Sequence, residues 1–304
     1  MGAPLPDSGG WPAPSRLVVS LVIALLCLLW GSTWVVIKLG LDHLPPLTSA
    51  AARFALAGAA MSLLAAGFRA REGGDDPPRW LWLVLGCGYF GLSYGLVYIT
   101  ETHLPSGLVS VLWGVFPMMM AAIGHLYLPG ERLHPRQWGG FVLGFLGLAV
   151  LYSTDVRSFG SDALPVALLL MLSPLVSAIG TGLIKRFGSR SSSLALNRNG
   201  MLTGAVVLGL AALVLERDAP AAWTAPAVLT VVYLALFGTV ATFGLYFWLL
   251  RTTAASRMSL IAYVTPAVAL TLGALVRGEA VRATTLFGSA LILSGVVLVV
   301  RVRH

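Results

Sequence analysis

The sequence predicts an all-α membrane protein whose ten transmembrane helices form two inverted five-helix repeats. Three observations predict it. Apolar runs of about 20 residues, the length that crosses a bilayer as a helix, recur from one end of the chain to the other. Basic residues are concentrated in alternate connectors. The second half of the chain repeats features of the first. The bulk numbers agree: 57% of the 304 residues are hydrophobic and 11% charged, with mean hydropathy +0.86, where a soluble domain carries about a quarter charged residues. Outer-membrane strands would instead alternate over segments of about 10 residues.

The elements follow in order. Residues 1–16 are rich in Pro and Gly and read as a disordered cytoplasmic tail. The first run, 17–39, is too long for a signal-peptide core and no small-x-small cleavage site follows it, so it reads as a retained helix. Further spans are expected at 48–68, 79–100, 105–127, 136–152, 163–185, 194–215, 225–250, 255–276 and 282–302. The longest hydrophilic connector, Arg69 to Arg79, is too short for a soluble domain. The two cysteines, Cys27 and Cys87, lie in apolar runs and read as packing residues; neither a metal nor another cofactor is expected.

Charge sets the orientation. With the N-terminus inside, the inside segments hold 14 of the 20 Lys and Arg and the outside segments hold 4, while Lys38 and Arg53 lie within spans. Both termini are therefore expected in the cytoplasm. The net charge of +8 is spread over connectors rather than gathered on one face, so the expected partners are a lipid bilayer and a small molecule, not nucleic acid. Composition leaves the oligomeric state open.

The repeat appears at an offset of 149. His103 to Pro117 aligns with Thr252 to Pro266, Tyr94-Gly95 with Phe243-Gly244, and Tyr98 with Phe247. At an offset of 148, Glu131 aligns with Glu279, Gly140 with Gly288 and Gly147 with Gly295. Residues 17–152 and 163–302 are thus expected to be two like units. Five spans per unit invert the second relative to the first, an arrangement suited to alternating access.

These residues carry a family resemblance. Trp30-Gly31-Ser32-Thr33-Trp34 with Lys38, Arg53-Phe54, Pro117 with Glu131, and Pro266 with Gly278-Glu279 occur in the order seen in the EamA family of the drug/metabolite transporters, which the chain resembles over residues 17–302. The resemblance implies a ten-helix inverted-repeat fold and export of amino acids, other small metabolites or drugs across the inner membrane. The second half departs from the first at Ser173-Pro174, which stand roughly where Trp30-Gly31 would be expected.

Helical spacing selects the candidate substrate-binding residues. Trp30, Thr33, Trp34 and Lys38 share one face of the first helix. Phe90, Tyr94, Tyr98 and Glu101 form a stripe on the third, and Thr239, Phe243, Tyr246 and Phe247 form one on the eighth. Trp113 lies near Pro117, and Tyr263 near Pro266. Together Trp30, Thr33, Trp34, Tyr94, Tyr98, Trp113, Phe243, Tyr246 and Tyr263 suit a neutral, aromatic-lined cavity. The plain alternative is helix packing and interfacial belts.

Gating or structural roles fall to Lys38, Arg53, Pro117, Glu131, Pro266 and Glu279. The two prolines are expected to interrupt their helices. Lys38 can face the cavity, snorkel outward or pair with Asp42; Arg53 can pair with a carboxylate or cap carbonyls. Glu131 and Glu279 read as structural ion pairs. Glu101, His103 and His125 sit toward helix ends and read as interface residues. With no carboxylate at the centre of a span, facilitated transport stays open.

Two other classes were weighed. Gly91-Leu92-Ser93-Tyr94-Gly95 matches the nucleophile pattern of serine hydrolases, which would make Ser93 an intramembrane protease nucleophile. The repeat replaces Gly91 by Val240 and Ser93 by Thr242, which favours scaffold over catalysis. A passive channel is the second alternative, disfavoured by aromatic walls without charge rings.

Overall fold

A computed structural model describes residues 15–128, 133–153, 160, 163–252 and 255–301, with the side chains at 136, 247–248, 250–252, 255–260, 262–263 and 300–301 outside the description. Of the expected tail 1–16, residues 1–14 lie outside the described residues, while Ser15 caps α1 and Arg16 begins it; Glu131 and the side chain of Tyr263 also lie outside the described residues. The described chain is helical: α1 (Arg16–Gly40), α2 (Pro46–Glu72), α3 (Arg79–Glu101), α4 (Ser106–Tyr127), α5 (Pro135–Ser153), α6 (Ala163–Phe187), α7 (Ser193–Leu215), α8 (225–252), α9 (Ala255–Arg277) and α10 (Ala283–Arg301). Each lies within about one turn of the apolar run that predicts it. Among the described residues α1, α2, α3, α4, α6, α7 and the Ala225–Tyr246 part of α8 are long and apolar enough to cross a membrane, and Gln137–Ser153, Val264–Arg277 and Ala283–Val299 are shorter apolar helices.

Helix ends show why these segments start where they do. Ser15 accepts from the Val18 amide and opens α1; Ser192 and Thr224 do the same for α7 and α8. Pro46 at the first position of α2 supplies no amide where none is needed. The N-termini of α2 and α7 also receive carboxylates from remote parts of the chain. Glu216, just past α7, accepts from the Leu47 and Thr48 amides at 2.6 and 2.8 Å and from the Thr48 hydroxyl at 2.7 Å. Glu72, at the end of α2, accepts in turn from the Ser193 and Leu194 amides at the start of α7 and from the Ser192 hydroxyl. The two helices therefore cap each other, each carboxylate meeting the positive end of its partner's dipole.

The core packs α2 on α7, α5 on α10, α1 on α9 and α4 on α6, with α3 also against α7. Glycines set the closest of these approaches. A Cβ on Gly140 would fall 2.5 Å from the Gly295 carbonyl oxygen, and one on Gly147 would fall 2.7 Å from that of Gly288. Residues aligned in the sequence repeat (140 with 288, 147 with 295) thus meet crosswise in space. Gly31 brings α1 against Val268 of α9 in the same way.

Four helices depart from α geometry. α3 is π-helical over Leu85–Ser93 and α8 over Leu236–Ala241; the 149 offset carries the first stretch onto 234–242. α4 breaks after Trp113 at Gly114 and resumes at Phe116, with Pro117 in the first turn of the new segment. α6 breaks at Met171. Pro266 corrects the expectation of a matching interruption: α9 runs unbroken through it. A proline deletes one amide donor, and a helix packed on its neighbours can continue past that loss. Pro266 is seated against Gly114, its Cγ 3.7 Å from where a Cβ there would stand.

Candidate functional site

Aromatic rings from α1, α2, α3 and α8 form a connected string between the helices. Trp30 lies 5.3 Å from Tyr246 and 6.5 Å from Phe243, Phe243 lies 6.2 Å from Phe90, and Phe54 lies 5.5 Å from Phe90 and 4.8 Å from Tyr94. One turn along α1, Trp34 lies 6.1 Å from Trp113, which stacks on Phe116 at 4.9 Å. Trp30, Trp34, Tyr94, Trp113, Phe243 and Tyr246 are all half-buried and packed against the buried core residues. Most of these pairs meet edge-on or tilted, while Trp113 and Phe116 stack.

A polar patch borders this string. Ser93 lies 2.8 Å from both the Ser173 and Ser177 hydroxyls, and the Trp113 indole donates to Ser173 at 3.0 Å. Ser93 thus meets hydroxyls rather than an imidazole. Ser173 and Ser177 were absent from the sequence-derived set. Their signal was the α6 departure at Ser173-Pro174, where the repeat pattern gives no alignment to follow.

Tyr98 and Thr33 are placed differently from the half-buried aromatics. Tyr98 is 0% exposed, and Thr33 is buried with its hydroxyl on the Trp30 carbonyl at 2.7 Å. Tyr98 belongs instead to a cluster around Arg53, itself 2% exposed. The guanidinium donates to the Thr239 hydroxyl at 3.0 Å, the Gly238 carbonyl at 3.3 Å and the Tyr98 hydroxyl at 3.4 Å. It also lies 5.0 Å from the Tyr94 ring centre and 5.4 Å from that of Phe54. Gly238 and Thr239 lie in the π-helical stretch of α8, so Arg53 satisfies backbone in the segment where the helix is widened.

Lys38 and Glu279 organise the far end of α1. Lys38 donates to the Leu104 carbonyl at 3.0 Å and to the Glu101 carbonyl, capping the C-terminal end of α3. Asp42 pairs with Arg277 rather than with Lys38. Glu279 caps α4, accepting from the Ser106 amide and hydroxyl at 2.8 Å each and from the Gly107 amide at 3.0 Å. That corrects its reading as an ion pair: the N-terminus of a helix supplies the positive charge. Lys38, His103, Leu104, Pro105, Arg277 and Glu279 line an open vestibule of about 230 Å³.

Glu101 also corrects its reading as a solvated interface residue. It is 0% exposed, at the end of α3 where Lys38 holds the backbone through the Glu101 and Leu104 carbonyls. His103 is exposed, 2.7 Å from the Thr102 hydroxyl, while His125 accepts from the Leu133 amide at 3.0 Å.

Comparison with known proteins agrees with this architecture. The chain is 28% identical to the "Uncharacterized transporter YvbV" of Bacillus subtilis (strain 168), covering 92% of this chain and 90% of that one. It is 28% identical to the "Uncharacterized inner membrane transporter YedA" of Escherichia coli (strain K12), over 90% and 88% of the two chains. A "Probable amino-acid metabolite efflux pump" of Salmonella typhimurium is 27% identical over 89% and 91%. A crystal structure titled only as that of a protein superposes with a TM-score of 0.68 over 94% of this chain and 98% of its own, at 19% identity, and shares the fold. The profile of the EamA-like transporter family matches residues 17–153 and again 164–301. With both stretches matched, this multi-pass membrane protein belongs to the EamA-like transporter family.

Proposed function

We propose that the chain is an inner-membrane carrier that exports small neutral or amphipathic metabolites, amino acids or drug-like compounds, by alternating access. Its ten helices cross the membrane as two inverted units, 17–152 and 163–302, with both termini in the cytoplasm. The observation that carries the reading is the half-buried aromatic string of Trp30, Tyr94, Trp113, Phe243 and Tyr246 beside the Ser93–Ser173–Ser177 hydroxyls. Aromatic faces hold an apolar body and the hydroxyls a polar end, with no charge demanded of the guest. Support comes also from the crosswise glycines of α5 and α10 and the mutual caps of α2 and α7, which fit two units related by a two-fold axis. A Salmonella relative named a "Probable amino-acid metabolite efflux pump" supports export of a small metabolite.

The test is flux in proteoliposomes. Labelled neutral amino acids, phenylalanine among them, and a cationic dye are loaded and their release is followed against protein-free vesicles. Saturable flux that falls when Trp30, Tyr94 or Trp113 is replaced by Ala, with folded protein retained, is the expected result. Unchanged kinetics in all three variants would reject the site, and non-saturating conductance would replace the carrier by a channel.

A further inference from the structure

Glu101 is the one carboxylate among the described residues that is fully enclosed with both oxygens lacking a hydrogen-bond partner. Its surroundings do not supply the missing contacts. Lys38 commits its ammonium to the carbonyls of Glu101 and Leu104. Arg53 commits its donors to Thr239, Gly238 and Tyr98. Glu279, the third charged group acting on it, is itself an anion and is held by α4. Asp42 and Arg277 lie further out and act on Lys38. The segments Ser106–Trp113 and Ala163–Leu170, which also pack on this part of α3, carry no ionisable side chain. Tyr98, one turn back on α3, gives Arg53 its hydroxyl.

An ionised carboxylate without donors is costly in such an interior, whereas a carboxyl that keeps its proton is not. The site also has a way out. Lys38, bonded to the Glu101 backbone carbonyl, lines the vestibule with His103, Arg277 and Glu279, so solvent reaches the lysine that holds the Glu101 backbone.

We propose that Glu101 is a proton-binding site and that solute movement through the carrier is coupled to its loading; the coupling rests on the carrier reading above. In the enclosed state Glu101 holds its proton. When the corner between α3 and α4 opens, the O–H bond breaks and the proton passes to a vestibule water as hydronium. The electron pair stays on the carboxylate, and the Lys38 ammonium leaves the two carbonyls to pair with it. Reclosure takes a proton back from water and returns Lys38 to the carbonyls. The relay is thus a carboxyl and an ammonium exchanging one contact for another, close to Arg53, whose guanidinium lies over the Tyr94 ring.

Two measurements on the full chain test this, the first independent of any solute. Infrared spectra of the protein in phosphatidylcholine–phosphatidylglycerol vesicles at neutral pH should contain a protonated-carboxyl C=O band that is lost in Glu101→Gln and kept in Glu279→Gln. Absence of that band from wild type, or its survival in Glu101→Gln, would overturn the proposal. The second follows phenylalanine in the same vesicles at zero membrane potential. A pH step should change net flux in wild type; in Glu101→Gln that response should vanish while exchange at equal phenylalanine concentrations stays within a few-fold, and Glu101→Asp should restore part of it. Equal loss of exchange and pH response would mark Glu101 as structural only, and a sodium step acting in place of the pH step would also overturn the proposal. If wild type moves no phenylalanine, the solute assignment fails, while the infrared result still decides the proton site.

Discussion

Replacing Arg53 tests the central cluster most directly. Arg53→Met keeps most of the volume and removes the charge and all three hydrogen bonds. Thr239 still donates to the Leu234 carbonyl at 2.8 Å, so its hydroxyl stays satisfied. The Gly238 carbonyl and the Tyr98 hydroxyl lose their Arg53 contacts inside the protein, at about 1–3 kcal/mol each. The two ring contacts add about 0.5–2 kcal/mol. Relief of burying a guanidinium offsets part of this, by about 1–4 kcal/mol. The net expectation is a loss of roughly 2–4 kcal/mol, a fall in melting temperature on the order of 4–12 °C. Arg53→Ala, which also leaves a cavity, should lose more, about 3–5 kcal/mol. Arg53→Lys reaches fewer of the three acceptors and should fall between wild type and Met. The assay is thermal unfolding in detergent, followed by intrinsic tryptophan fluorescence. A melting temperature unchanged in both Met and Ala would refute the view that Arg53 holds the widened part of α8 to α2 and α3.

Other perturbations give equally sharp expectations. Gly147→Val puts side-chain atoms against the Gly288 carbonyl, and Gly288→Val puts them against the Leu151 side chain; either should cut the yield of folded protein in detergent, whereas Gly67→Ala, with open space at its Cβ, should not. Glu216→Ala and Glu72→Ala each remove a helix cap and should lower stability by similar amounts, about 1–2 kcal/mol in unfolding titrations; strongly unequal losses would argue against equivalent roles. Fusing a reporter active only outside the cytoplasm after His304 should give no signal, and activity there would reverse the proposed orientation.

Much of this was legible from residue spacing. Trp30, Trp34 and Lys38 share a face because 3.6-residue periodicity dictates it, and the helix positions follow from the apolar runs. What spacing cannot convey is which remote residue arrives beside a given one. Glu101 lies at a helix end by sequence, where water is the default; in the fold α1, α2 and the segments 106–113 and 163–170 pack on this part of α3 and leave it unexposed. Glu279 reads as a surface charge until α4 brings two amides to it. The stripe Phe90–Tyr94–Tyr98 puts three rings along α3, but spacing does not show that Arg53 arrives there from α2, over the Tyr94 ring and on the Tyr98 hydroxyl. Ser173 and Ser177 escaped because small hydroxyls in an apolar helix look like ordinary packing residues.

The remote caps bear on how the chain is made. α2 lacks the acceptor for its first amides until Glu216 has been synthesised, and α4 lacks its own until Glu279 has emerged. Asp42 likewise waits for Arg277. The early helices therefore enter the membrane with their ends unfinished, and late synthesis completes them. Assembly proceeds as the closing of the first half by the second, so a nascent chain stalled before α9 leaves the Ser106 and Gly107 amides of α4 without their carboxylate acceptor.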